Sequence, residues 1–453
     1  VLTRLRGLLR SELGQRLALA TASSGLIWAV GTLATFGVGV VLARSLGPTG
    51  YGLYGTAVAV VTLFAVPAQL GLPLLATREV SAARVRGRPG EAAALGWCFT
   101  ATVAALSVAL AFGLWLAAGI LPLAAALAPV LAVAAWLLPP LALSALAAGL
   151  LRGQERVLAS QMLDVLVRPI AFAALLLLWS RPLAAPEAIA AQAVAAGAIA
   201  LVGLAFFFRR LPGRFGDAPL RWRVWIGAAL PMTLLELLRV VDGSYPVLVA
   251  GSLASLSDAG LLRVAMASAL VVTAPISLQN IIVGPFLAGA HAAGETRRLA
   301  RIIAGSTVFM TAAVATATLA IAVAGRWLLP LAFGDGFSGA YWPLLLLCLN
   351  QLLTAAFGNG AMLLAMTGQE RVVVRALAIS VVVAVPAALL LTPLLGILGT
   401  AASTLVATML RGVMLNRVAV RTLGIDPSLL GAAGLLVSRS GPARSRDPAH
   451  RGE

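Results

Sequence analysis

Apolar runs long enough to cross a bilayer recur along almost the whole 453-residue chain, and this recurrence constrains the fold more than any other feature. Inside a bilayer the backbone finds no water to bond, so each run must satisfy its own amides as a helix or join a closed barrel. A barrel would show alternating segments of about ten residues. The runs here are continuous, near 18–43, 52–76, 93–118, 123–150, 158–179, 188–208, 224–251, 260–287, 301–325, 341–366, 372–393 and 396–417. Twelve transmembrane helices are expected, in an all-α integral membrane protein. Only 11% of the residues are charged, against about a quarter in a soluble protein.

Basic residues number 33 against 16 acidic, and all 33 are arginine. In a soluble chain a net charge of +17 would invite a nucleic-acid reading. Here the arginines cluster in alternate loops: Arg78, Arg84, Arg86 and Arg88, then Arg152 and Arg156, then Arg209, Arg210, Arg214, Arg221 and Arg223, then Arg297 and Arg298, then Arg371. The intervening loops hold only Arg44, Arg181 and Arg326. Cytoplasmic loops carry the excess of basic residues. This places both termini in the cytoplasm, across a cytoplasmic (inner or plasma) membrane, and leaves no role for nucleic acid. Residues 1–16 place Leu2, Leu5, Leu9 and Leu13 at helical spacing among arginines, as a cationic helix in the cytoplasmic interface would. A cleaved signal peptide fits less well, because the apolar run that follows is too long. A basic linker is expected at 209–223, and a cytoplasmic, mostly disordered tail at 421–453, in which Leu429–Val437 is too short to span.

The chain also repeats itself. Gly52 to Pro67 and Gly260 to Pro275 share Gly, Leu, Ala and Pro at one offset, and Gly153-Gln154-Glu155-Arg156 reappears as Gly368-Gln369-Glu370-Arg371. Each pair falls six spans apart. Six is even, so the halves are expected to be parallel repeats, with bundles at 17–208 and 224–420 around a central polar cavity.

Charge inside the spans marks candidate function. Pro231 to Gly260 is apolar enough for a bilayer yet carries Glu236, Arg239 and Asp242 at steps of three. An ionisable residue at bilayer depth costs roughly 2.5–3.5 kcal/mol on insertion scales. These side chains are therefore expected on one broad face, toward protein or a water-filled cavity. The same residues would also serve to pin the helix to a neighbour. Arg239 suits an anion, while Asp242 suits a proton or sodium ion. Asp164 and Arg168 are four apart and either pair with each other or face the cavity. Arg263 either snorkels or binds ligand, and Arg44 and Arg78 read as anchors of loops. Prolines within the spans, among them Pro67, Pro139, Pro140, Pro169, Pro231, Pro246 and Pro386, favour bends. No phosphate-binding G-x-x-x-x-G-K-[ST] loop occurs, His291 and His450 fall outside the spans, and Cys98 and Cys348 lie in apolar runs. No cofactor, metal site or enzyme activity is expected.

The stretch Ala43-Arg44-Ser45-Leu46-Gly47-Pro48-Thr49-Gly50-Tyr51-Gly52-Leu53-Tyr54 resembles the A-R-x-L-G-P-x-x-Y-G-x-Y signature of polysaccharide transporter, or O-antigen flippase-like, proteins. Thr77-Arg78-Glu79-Val80 is similar to that family's basic turn. Asp242 followed by Gly260 and Ala265 is similar to its D…GxYxxA pattern, with Leu262 in place of the tyrosine. Phe333-Gly334-Asp335-Gly336-Phe337 and Leu364-Ala365-Met366-Thr367-Gly368-Gln369 are similar to later signatures, whereas span eleven lacks the family's asparagines.

The resemblance implies the multidrug/oligosaccharidyl-lipid/polysaccharide exporter fold with two six-helix bundles. It also implies flipping of a polyprenyl-diphosphate-linked oligosaccharide for surface-polysaccharide synthesis. Arg168, Arg239 and Arg263 would then contact the diphosphate and sugars, with Asp242, Glu236 or Asp164 coupling the cycle to H+ or Na+. Membrane lipids and the lipid-linked substrate are the partners implied. A cation-coupled multidrug antiporter of the same fold, which would want an acidic lumen, and a peptidoglycan-precursor flippase are the rival readings. A polytopic polymerase or glycosyltransferase would need a sizeable outer loop bearing catalytic residues, and none is found.

Overall fold

A computed structural model of the chain describes residues 12–120, 125–179, 183–209, 211 and 222–437. The start of the expected interfacial helix, most of the basic linker and the tail beyond 437 lie outside these residues. Among the described residues every regular element is helical. They are α1 (Glu12–Gln69), α2 (Leu72–Val85), α3 (Pro89–Ile120), α4 (Leu127–Ala135), α5 (Leu138–Gly153), α6 (Val157–Gln161), α7 (Arg168–Leu177), α8 (Ala185–Phe208), α9 (Trp222–Leu253), α10 (Leu256–Ala292), α11 (Thr296–Phe333), α12 (Tyr341–Phe357), α13 (Gly360–Met366), α14 (Glu370–Leu395), α15 (Ile397–Leu423) and α16 (Leu429–Val437). A π-helical turn, Met162–Val167, joins α6 to α7, and a 3-10 turn, Asp335–Ala340, precedes α12.

Ten stretches among the described residues are long and apolar enough to cross a membrane. One of them, Ser23–Val85, runs through a break in α1 at Gly47, whose φ of 65° is non-helical. The charged helix α9 is not among the ten. Dividing the first and adding the second would give the expected twelve; length and apolarity alone establish ten.

Proline accounts for some of the breaks but not all. Pro139 and Pro140 open α5 after the interruption at Trp136 and Leu137, and Pro169 opens α7 after the π turn. Pro231 and Pro246 instead ride inside an unbroken α9, and Pro386 inside α14. Between α12 and α13 the break is made by Gly358, at φ 74°, without any proline.

The N-terminal helices α2, α3, α5 and α8 pack on one another, as do α10, α11, α12, α14 and α15. The two groups meet chiefly through α1, which packs along α9 and α10. Lipid tails are as apolar as leucine, so membrane helices associate by close packing at small residues. The crossing of α1 and α10 shows this most clearly. A β-carbon at Gly52 would lie 1.7 Å from the carbonyl oxygen of Leu256, and one at Gly260 would lie 2.0 Å from that of Pro48. Gly52 and Gly260 are the glycines that the repeat pairs, and Pro48 and Leu256 are separated by the same offset. The repeated glycines thus face each other across one helix crossing.

The second repeated motif occupies equivalent turns with different geometry. In the first copy the left-handed residue is Glu155, at φ 61°, and in the second it is Gly368, at φ 79°. Gly153 is spent on close approach instead: its β-carbon would lie 2.7 Å from Val80.

Leu429–Val437, too short to span, packs against α11 as α16. Thr307 of α11 donates to the Pro427 carbonyl just before it, at 2.9 Å. Exposed Val382, Leu390 and Leu394 on α14, with Trp327 and Leu331 on α11, form part of an apolar outer surface suited to lipid.

Candidate substrate cavity

Helix α9 presents its three charges in different directions. Each step of three residues turns an α-helix back by about 60°, so positions 236, 239 and 242 fan out rather than stack. Asp242 turns inward, half-buried, and its Oδ2 lies 3.1 Å from a guanidinium nitrogen of Arg411 on α15. Arg239 is exposed at the rim of the same region. Glu236 is exposed and lines neither cavity beside the pair.

Two cavities adjoin the Asp242–Arg411 pair and share Asp242, Thr408 and Arg411 as wall. One, of about 290 Å³, reaches past Pro246 to Thr273, Asn350 and Gln351. The side-chain oxygen of Asn350 is buried there without a partner. The other, of about 360 Å³, includes Arg239, Thr354, Gly358 and Asn416. Its wall carries two arginines and one carboxylate, a net positive charge. The pair therefore borders both spaces, which lie among α9, α10 and α12 to α15.

The remaining candidates lie elsewhere. Arg168 pairs with Asp164 at 3.2 Å along one helix, across the π turn, and both side chains are about one-third exposed. Arg263 stands on α10 over two tyrosines of α1, 5.5 Å from the ring centre of Tyr51 and 5.1 Å from that of Tyr54. A cation over an aromatic face is attracted by the ring quadrupole, the more so where water is excluded. Tyr54 in turn donates to Oε1 of Gln192 on α8 at 2.7 Å. Arg263, α1 and α8 are so tied together. Tyr54→Phe removes only that hydroxyl and is expected to lower stability by about 1 kcal/mol, read as a small fall in the thermal midpoint of the detergent-solubilised protein.

Several stretches singled out in the sequence converge around this cluster. Arg44 donates to the carbonyl oxygens of Leu331 and Ala332 at the end of α11. Phe337 packs edge-on against Tyr51 with ring centres 6.3 Å apart, and the β-carbon site of Gly336 lies 3.1 Å from Pro48. Arg44 thus anchors the bend of α1, while Arg78 pairs with its neighbour Glu79.

Arg411 escaped the sequence reading although its signal was present, an ionisable residue inside an apolar run. Tyr54 and Gln192 carried no such signal, being ordinary residues of membrane helices. Among the described residues no three of His, Cys, Asp and Glu converge as a metal site, and Cys98 and Cys348 are free thiols.

This packing is found in known transporters. An inward-facing multidrug resistance MATE family transporter of the MOP superfamily superposes with a TM-score of 0.72 at 12% identity, over 87% of this chain and 96% of that one. The lipid II flippase MurJ, in an inward closed conformation, gives 0.67 at 10% identity over 91% of each chain. A MOP superfamily transporter from Pyrococcus furiosus, described as having a binding pocket of reverse polarity, gives 0.60 at 13% identity, covering 92% of this chain and 98% of that one. A search of curated proteins finds no match. Fold and apolar surface define a multi-pass helical membrane protein that shares the fold of these transporters. Residues 20–288 match the family model described as polysaccharide biosynthesis protein, and the chain belongs to that family.

Proposed function

We propose that the protein is a flippase carrying a polyprenyl-diphosphate-linked oligosaccharide across the cytoplasmic membrane by alternating access, for surface-polysaccharide synthesis. The observation that carries this reading is the wall of the Arg239 cavity, which holds two arginines and one carboxylate. A diphosphate is a ligand whose charge offsets such an excess, whereas a cationic drug would be repelled. Family membership supports the polysaccharide context, and the fold is one that also serves MurJ, a lipid II flippase.

In this reading the bundles at 17–208 and 224–420 move as units about the α1–α10 crossing, and both termini are cytoplasmic. Arg239 meets the diphosphate, Arg168 and Arg263 meet substrate on the opposite side, and the polyprenyl tail stays in lipid. Asp242, Glu236 and Asp164 are the carboxylates available to couple the cycle to H+ or Na+. The protein has no catalytic group in this scheme and makes or breaks no covalent bond.

Reconstituted into proteoliposomes, the protein is expected to move a labelled polyprenyl-diphosphate oligosaccharide between leaflets. Efflux of a cationic dye without any lipid transfer would move the assignment to an antiporter.

A further inference from the structure

Helices α14 and α15 form an antiparallel hairpin, and its side away from the Arg239 cavity carries a separate cluster of charge. Thr392 and Thr400 share a hydrogen bond of 2.7 Å near the bend and fix the register of the two arms. Further along, Ala384 and Ala388 share a core cluster with Ala407, and Ala376 with Leu415 and Ala419, so the register holds to the open end. There Arg375 stands level with Arg417, each seventeen residues from its threonine, and Arg371 with Arg421, each twenty-one. All four are exposed. Two residues of α-helix turn by about 200°. Arg371 and Arg375 therefore lie opposite Val373, and Arg417 opposite Leu415, both of which line the cavity.

A bias of arginine toward one side of the membrane explains the side but not this grouping. In the first half of the repeat Arg156, the counterpart of Arg371, donates to the Phe206 carbonyl oxygen at 3.1 Å, and Glu155 pairs with Arg84 at 2.8 Å. At the same offset Ser160, Val202 and Phe206 stand where the second half has Arg375, Arg417 and Arg421. In the second half none of the four arginines makes an ion pair or hydrogen bond among the described residues. Glu370 forms no ion pair there either, and Asp426 accepts from the Ser428 amide at 2.9 Å. The positive end of the α14 dipole adds to the charge. Toward the bend, exposed Ile379 and Val382 on α14 and Val413 on α15 continue the same face as apolar surface.

We propose that this face binds an anionic phospholipid of the leaflet at the open end of the hairpin. Its headgroup is held by arginines of both helices, and its acyl chains lie along the apolar strip. With a rise of about 1.5 Å per residue and 8–10 Å between packed helices, the four α-carbons mark a patch of roughly 6 by 9 Å. Each level pair then reaches one phosphate from two sides, and the two levels suit a headgroup with two phosphates. A lipid so held clamps α14 to α15, whose other faces wall the Arg239 cavity. It requires no flippase activity.

The test is native mass spectrometry of the full-length, detergent-solubilised protein titrated with diphosphatidylglycerol. Phosphatidylglycerol and phosphatidylcholine serve as the one-phosphate anionic and the zwitterionic probes. The two-phosphate lipid is expected to bind about tenfold more tightly than phosphatidylglycerol, and phosphatidylcholine more weakly still. Arg375→Gln with Arg417→Gln is expected to weaken diphosphatidylglycerol about twenty-fivefold, at about fivefold for each arginine. Arg297→Gln with Arg301→Gln, at the start of α11, removes the same charge elsewhere and is expected to leave binding unchanged. Should the first pair not fold, Arg371→Gln with Arg421→Gln gives the same reading from the other level. Equal losses from the α11 control and the cluster would reduce the effect to diffuse attraction and overturn the proposal. Equal binding of phosphatidylcholine, or displacement by an equal concentration of a short-chain polyprenyl diphosphate, would overturn it as well.

Discussion

Gly260→Val is expected to force α10 away from α1 and to destabilise the joint between the two halves. A β-carbon there would sit 2.0 Å from the Pro48 carbonyl oxygen, and the mirror change at Gly52 would place one 1.7 Å from that of Leu256. In both cases the obstacle is backbone, so no side-chain rotation relieves it and a helix must shift. Overpacking costs about 1–3 kcal/mol, occasionally more, and here the cost falls on the contact about which the halves are proposed to rock. The expected result is a clearly lower thermal midpoint together with loss of transport. Gly113→Ala is the control: nothing lies within 4 Å of that position on α3, and alanine is about 1 kcal/mol better than glycine in a helix. A midpoint unchanged in Gly260→Val would mean that the two helices do not cross there.

Gly358→Ala should have the second large effect. This glycine breaks the span between α12 and α13 at φ 74° and ψ −172°, a region essentially confined to glycine, where a β-carbon costs about 1–3 kcal/mol. Its β-carbon would also lie 1.8 Å from the Pro427 carbonyl oxygen, the atom that accepts from Thr307. The substitution therefore drives out the segment leading to α16, with loss of a buried hydrogen bond worth about 1 kcal/mol. Gly368→Ala separates the two causes, because its φ is 79° and nothing lies within 4 Å. The thermal midpoint is expected to fall for both variants, and much further for Gly358→Ala. Phe357, Gly358 and Gly360 line the Arg239 cavity, so displacing this segment should also weaken anion binding there. Equal falls in the two variants would leave backbone strain as the whole effect and remove Pro427 from the account.

Legibility in the sequence followed how directly each feature depends on the bilayer. The spans were readable because hydrocarbon demands about 20 apolar residues of each helix. The helices run beyond those limits, as α10 does at Leu256–Ala292 against the expected 260–287, because their polar ends continue outside the apolar stretch. The offset that pairs Gly52 with Gly260 was readable too, since close packing leaves few choices at a crossing. Their direct contact was not, because a repeat fixes correspondence and not distance. Steps of three looked like a shared face on α9, yet the accumulated rotation carries Glu236 away from Asp242. The partner of Asp242 lay far along the chain, on α15, and no local spacing announces such a pair. The π turn at Met162–Val167 and the glycine break at Gly358 were equally silent, one because it carries no composition signal and the other because most glycines in this chain are merely small.

The most direct test of the central claim is leaflet transfer of a labelled polyprenyl-diphosphate oligosaccharide by wild-type protein and by Arg239→Ala, side by side in proteoliposomes. Rapid transfer by the first and a fall to the protein-free rate in the second is the predicted result, since the variant removes the cavity arginine that forms no ion pair among the described residues. Full transfer in Arg239→Ala would contradict the cationic cavity as the path of the diphosphate.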